Sequence, residues 1–122
     1  MEIIIERQDR VTIVRPTGFV DVVTAGALAE ALTAQLQAGN LSLVVDLDRL
    51  EYMSSAGLRV LLAALKEARR QGGDLRLANA RAEVRQVLEM SGFTNVLPIH
   101  ATLAEAAGSY EVPAPDGGTA AV

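Results

Sequence analysis

Ile3-Ile4-Ile5 and Val11-Thr12-Ile13-Val14 are two β-branched runs separated by the polar Arg7-Gln8-Asp9-Arg10. Such side chains fit a pleated surface and polar residues suit the turn between them, so the pair is predicted as an antiparallel hairpin. Pro16 and Gly18 end its second strand. From Thr24 onward Ala25, Leu28, Leu32 and Leu36 recur at helical spacing, and Gly39-Asn40 stops the pattern. Residues 41–47 form a short β-rich run with little alternation, as expected of a strand covered on both faces. Leu58, Leu61, Leu62 and Leu65 mark a second helix over residues 56–71, with Lys66, Glu67, Arg69 and Arg70 on its wet side and Gly72-Gly73 at its end. Residues 75–78 read as another strand. Val84, Val87 and Leu88 lie on a third helix closed by Ser91-Gly92, followed by a short strand at 96–99 and a short helix at 102–107.

After the hairpin, helix and strand alternate. This order argues an α/β fold with a mixed, mainly parallel sheet of about four or five strands and helices packed mainly on one face. In such sheets functional sites lie where strands end and helices begin. The 122 residues suit one domain, expected over residues 1–108. From Ser109 the chain turns to Pro, Gly, Ala and Asp (EVPAPDGGTAAV), too little apolar surface to offset ordering entropy, so residues 109–122 are expected to form a mobile tail.

Only 3% of residues are aromatic, so the core must be built from Leu, Val, Ile and Ala, and base-stacking platforms are not expected. The net charge of -4 and the lack of a basic cluster beyond Arg69-Arg70 argue against a nucleic-acid partner. With no Cys there is no disulfide, thiolate metal site or cysteine nucleophile, which fits a reducing cytoplasm. MEIIIERQDR is too charged for a signal peptide, and the longest apolar run, residues 60–65, is too short to cross a bilayer. A cytoplasmic domain without membrane contact is the expectation.

The candidate chemistry centres on DLDRLEYMSSAGL, residues 46–58, where a strand-like run meets the second helix. Ser54 and Ser55 have two compatible readings. One is a helix N-cap, worth ~1 kcal/mol; the other is an exposed hydroxyl that accepts a phosphoryl group beside helix amides that tolerate it. Ala56 and Gly57 leave the serines without a bulky neighbour, either for close packing of the helix start or for access by a partner. Asp46 and Asp48 are read as solvated loop acids, with a metal or phosphoacceptor role the lesser alternative. Asp21 is expected to cap the first helix or to sit near the serine loop. His100, the only histidine, is expected at the surface, without a triad or metal partner. No phosphate-binding glycine loop is present, so no cofactor, metal or catalytic residue is assigned and no enzymatic activity is expected.

At these residues the sequence resembles the STAS domain family, which includes bacterial anti-sigma factor antagonists. The resemblance covers residues 1–108 and is carried by GFVD (18–21), LVVDLDRLEYMSSAGLRVL (43–61) and QGGDLRLANARAEVRQVLEMSGF (71–93). It implies a protein regulating transcription through a sigma factor by partner switching. Unphosphorylated, it would bind an anti-sigma factor serine kinase that supplies ATP; phosphorylation would release it, and a phosphatase would reset it. The resemblance places the phosphorylated serine at Ser55, with Ser54, where an aspartate is usual, as second candidate. It places partner binding on Asp21, Met53, Ser54, Ser55, Ala56, Gly57 and Leu58. The alternative it leaves is a non-switching STAS subunit of a stress-sensing or lipid-transport assembly, with Ser55 serving only as a cap.

Overall fold

In a computed structural model, which describes residues 1–110, the β-branched runs pair as expected. β1 (Ile3–Gln8) and β2 (Val11–Pro16) form an antiparallel hairpin with Ile3 opposite Pro16 and Gln8 opposite Val11. Then follow β3 (Gly18–Val20), α1 (Ala25–Gln37), β4 (Ser42–Asp46), β5 (Leu50–Met53), α2 (Ser55–Arg70) and β6 (Asp74–Ala78). α3 (Ala82–Met90), a 3₁₀ turn (Phe93–Asn95), β7 (Ile99–His100) and α4 (Leu103–Gly108) complete the order. Five strands make one mixed sheet in the order β1-β2-β4-β6-β7, parallel from β2 onward.

β3 and β5 were not expected from the hydrophobic pattern. They pair with each other as a separate two-stranded parallel sheet. Segments as short as GFV and LEYM carry too few residues for a period of two to register. The strand expected at 96–99 is present only at its end: residues 96–97 form a turn and bend after the 3₁₀ turn, and Ile99 and His100 pair to β6.

Alternation along the sheet sends side chains to two unequal cores. On one face Leu28, Leu32, Leu61, Leu65 and Leu88 from α1, α2 and α3 close over Val14, Leu43, Val45, Leu75 and Leu77, all buried. Burial of each such leucine is worth roughly 1.5–3 kcal/mol, so this face carries most of the stability. On the other face Val11, Ile13, Val44 and Ala78 are covered by Ala106 of α4 and by Tyr110.

Asp46 corrects the reading of a solvated loop acid. It ends β4 beside Arg15 of β2 and is buried. Its carboxylate accepts hydrogen bonds from Arg15 Nε (2.9 Å), Asn79 Nδ2 (3.2 Å) and the Asp48 N–H (3.1 Å), while Arg15 also pairs with Glu6. A buried carboxylate persists only with such partners. Asp48 is exposed, as expected. His100 is half-buried rather than at the surface, because β7 is held between β6 and α4, and its Nε2 atom is enclosed without a hydrogen-bond partner.

The packed unit runs two residues past the expected boundary at 108. Ser109 accepts a hydrogen bond from Arg76, whose guanidinium lies 3.9 Å from the centre of the Tyr110 ring. The Tyr110 hydroxyl donates to the Leu43 carbonyl (2.7 Å), and burial pushes its pKa up, which keeps the donor proton in place. The remainder of the expected tail, 111–122, lies outside the described residues. Tyr110→Phe should lower stability by ~0.5–1.5 kcal/mol through the lost bond alone. Tyr110→Ala, which also strips the ring from α4's apolar face, should cost roughly 1–3 kcal/mol. Urea unfolding midpoints of the two variants test this, and equal midpoints for all three chains would mean Tyr110 does not hold α4 down.

Candidate functional site

The serine junction is built by the β3–β5 pairing. Gly18 N–H donates to Arg49 O (3.0 Å), Val20 lies opposite Met53, and Ser54 N–H donates to the Val20 carbonyl (2.8 Å), so the ladder ends on the first serine. A register shift between Gly18 and Phe19 places Phe19 opposite Tyr52. Both rings point outward with centroids 6.2 Å apart and planes inclined by 44°.

The capping duty falls on Ser54. Its backbone is extended (φ -90°, ψ 174°) and its hydroxyl accepts from the Gly57 N–H at a long 3.4 Å. Ser55 is the first residue of α2, one earlier than the expected start, and is exposed. The two readings of the junction are thus divided between neighbours, with one serine turned to the backbone and the other to solvent. α2 carries no acidic residue in its first turn, leaving its positive end uncompensated there.

Gly57 is required by close packing. A Cβ at this position would lie 2.7 Å from Val20 Cγ1 and 3.1 Å from Met53 Cγ. Met53 and Gly57 are buried and underpin the surface, whereas Ser54, Ala56, Leu58 and Asp21 are partly exposed.

Asp21 does not cap α1 directly. It holds the turn before the helix: Oδ1 accepts from the N–H groups of Val23 (2.9 Å) and Thr24 (3.0 Å), and its own N–H donates to the Thr24 hydroxyl oxygen (2.9 Å). The Thr24 hydroxyl donates in turn to the Phe19 carbonyl (2.7 Å). These bonds, led by the Thr24 N–H, hold the Asp21 carboxyl below the usual carboxylate pKa. The turn raises Val22 and Val23 into solvent at 80% and 87% exposure. Phe19, Tyr52, Val22 and Val23 are thus exposed apolar side chains on the ladder and turn that precede the two helices, a feature the sequence reading missed. The available signal was Val22-Val23, two consecutive apolar residues outside the helical period.

Beyond Ser55, α1 and α2 enclose a groove of about 560 Å³ lined by Ala29, Thr33, Ala56, Arg59, Val60 and Ala63 among others. Among the described residues no group of three or more His, Asp or Glu is placed to hold a metal ion, and no helix is long and apolar enough to cross a membrane.

Two substitutions probe this geometry. Gly57→Ala should lose roughly 1–2 kcal/mol, overpacking against β-branched Val20 outweighing the helix propensity gained. Val20→Ala in the same chain should recover part of that loss, and additive losses would contradict the contact. For Asp21, a depressed folded pKa means a stabilising contribution present above the unfolded value of about 3.9 and lost as pH falls through the folded one. A carboxyl NMR titration should place Asp21 below that reference, with Thr24→Ala moving it upward; a midpoint at or above the reference would show the turn is not held this way.

Comparison with known proteins places the same architecture among regulators of sigma factors. The STAS domain family profile matches residues 2–106. A Bordetella bronchiseptica protein described as an anti-sigma factor antagonist, BtrV, is 36% identical over 115 residues, spanning 94% of this chain and 99% of that protein. An anti-sigma factor antagonist from Mycobacterium paratuberculosis superposes with a TM-score of 0.84 at 28% identity, covering 91% of this chain and 94% of the other. The unphosphorylated form of the anti-sigma factor antagonist SpoIIAA has the same fold, with a TM-score of 0.77 at 24% identity and coverage of 90% and 96%. The phosphorylated form of Bacillus SpoIIAA retains that likeness, with a TM-score of 0.70 at 20% identity and coverage of 89% and 99%.

Proposed function

The chain belongs to the STAS domain family, and on that footing we propose that it is an anti-sigma factor antagonist working by partner switching in the cytoplasm. The observation that carries this reading is Ser55: an exposed residue at the first position of α2, relieved of capping by Ser54, just past the end of the ladder that carries the exposed Phe19 and Tyr52. Exposed aromatic side chains beside a small polar group suit a docking surface, with large side chains excluding water from a contact that one group controls.

In the unphosphorylated state this face docks on an anti-sigma factor that is a serine kinase, and the sigma factor is released. The kinase supplies ATP. Ser55 Oγ forms a bond to the γ-phosphorus, the bond from that phosphorus to the β,γ-bridging oxygen breaks, ADP leaves, and the hydroxyl proton passes to a base of the kinase. The chain is substrate and ligand here, not catalyst. Its product carries a charge near -2 on the face that met the partner. Burying that group against the same partner surface is unfavourable, so the complex dissociates. A phosphatase hydrolyses the ester and restores the hydroxyl.

Two variants separate the switch from the cap. Ser55→Ala should fold with little loss, since Ser54 holds the cap, should still bind the anti-sigma factor, and should take no label from ATP. Ser55→Asp keeps an acceptable helix start, because a carboxylate suits the positive end of α2. It should nevertheless lose ~2–5 kcal/mol of partner affinity, as an unpaired charge in an interface does. Binding of both to the anti-sigma factors of the host organism can be measured by calorimetry and labelling by radioactive ATP. Equal affinities, or undiminished labelling of Ser55→Ala, would overturn the assignment; in the second case Ser54 becomes the acceptor.

A further inference from the structure

We infer that Arg59 is the intramolecular anchor of the phosphoryl group on Ser55, so that modification captures a guanidinium which the unmodified domain leaves free for its partner. This rests on the reading of Ser55 as the modified residue and adds the group that receives the charge.

Three observations carry it. Ser55 and Arg59 are four residues apart on α2 and both are exposed, so they share one ridge with Cβ atoms about 5–6 Å apart. The other two arginines of α2 are engaged, Arg69 with Asp74 and Arg70 with Glu67, whereas among the described residues Arg59 has no carboxylate within ion-pair distance. No acidic residue in the first turn of α2 competes for it, and Arg59 borders the α1–α2 groove beside Ala56, Val60 and Ala63, whose small size leaves the guanidinium room to swing toward residue 55.

The chemistry favours the pair. A phosphoryl group offers three strong acceptor oxygens, and the planar fork of arginine meets two of them at once, which a lysine ammonium cannot do. The order is also the favourable one on a helix, with the anion four residues before the cation. Local charge on the ridge then swings from about +1 to about -1 in a single step. A partner that reads Arg59 with a carboxylate loses its cation at the moment it meets the phosphate.

The test needs no kinase. Phosphoserine is installed at position 55 of the full chain during translation, and its second ionisation is followed by ³¹P NMR in the unaltered chain, Arg59→Lys and Arg59→Gln. With the anchor, the phosphoryl pKa in the unaltered chain should lie about half a unit or more below that of Arg59→Gln, against a reference near 6. Arg59→Lys should fall between, and the gap should shrink at about 1 M salt. In the unaltered chain, phosphorylation should also slow solvent exchange of the Arg59 Nε–H, a readout that depends on no variant folding. Equal phosphoryl pKa values with and without Arg59, or unchanged Nε–H exchange, would overturn the anchor. Because the phosphate is introduced without an enzyme, that failure is distinct from failure of the switch, which appears only in labelling and partner affinity.

Discussion

The close approach of the first turn of α2 to the end of β3 is the constraint on which the rest of the site depends. Gly57 has no side chain, so its backbone lies where a Cβ would overlap Val20, and the Ser54 N–H reaches the Val20 carbonyl. These two contacts fix the axis on which α2 leaves the sheet. They thereby fix which serine faces the backbone and which faces water. A larger residue at 57 would push the helix away and blur that division before touching either hydroxyl.

A second constraint lies behind the first. Asp46, buried at the end of β4, ties β2 through Arg15, the segment after β6 through Asn79, and the loop into β5 through the Asp48 N–H. Arg81 Nε adds a bond to the Asp48 carbonyl (2.7 Å). Such a cluster is weak evidence for net stability, because desolvating the charges offsets much of their attraction. Its geometric effect is firmer: the loop at residues 47–49 has one route, and β5 begins in register with β3. The buried acid of the junction therefore fixes the loop that leads to the serine.

The surface around Ser55 combines features that a monomeric domain gains little from. Two of the four Phe and Tyr residues of the chain, Phe19 and Tyr52, are spent on exposed positions, and Val22 and Val23 stand almost fully in solvent on a turn braced by Asp21 and Thr24. Apolar groups held on a braced turn cost little entropy when they meet a partner. A change of charge at Ser55 would alter that face directly, since the residue is exposed and the first turn of α2 carries no acidic residue. The proposed switch therefore needs no rearrangement of the backbone, only a change in what this face presents.

Much of this was legible in the residue pattern. The hairpin, the leucine stripes of α1 and α2, the strand-to-helix junction and the two serines are local features, since periodicity and end signals act over a few residues. The GFVD and SSAGL segments were visible as words, and their resemblance to a family linked them. What the sequence left open depended on contacts between distant segments. β3 and β5 are too short to announce themselves and exist because each is the other's partner. Asp46 looked like a loop acid because Arg15 and Asn79 are far away along the chain. Tyr110 belongs to the fold only because Leu43 and Arg76 are there to meet it. The sequence by itself determined the order of elements and the residues able to carry chemistry, through backbone preference and apolar spacing. Only the tertiary structure decided that Ser54 caps, that Ser55 is exposed and that Phe19 and Tyr52 pair beside the junction, because those outcomes depend on where β3 lies against β5 and α2, a relation between segments that no local pattern encodes.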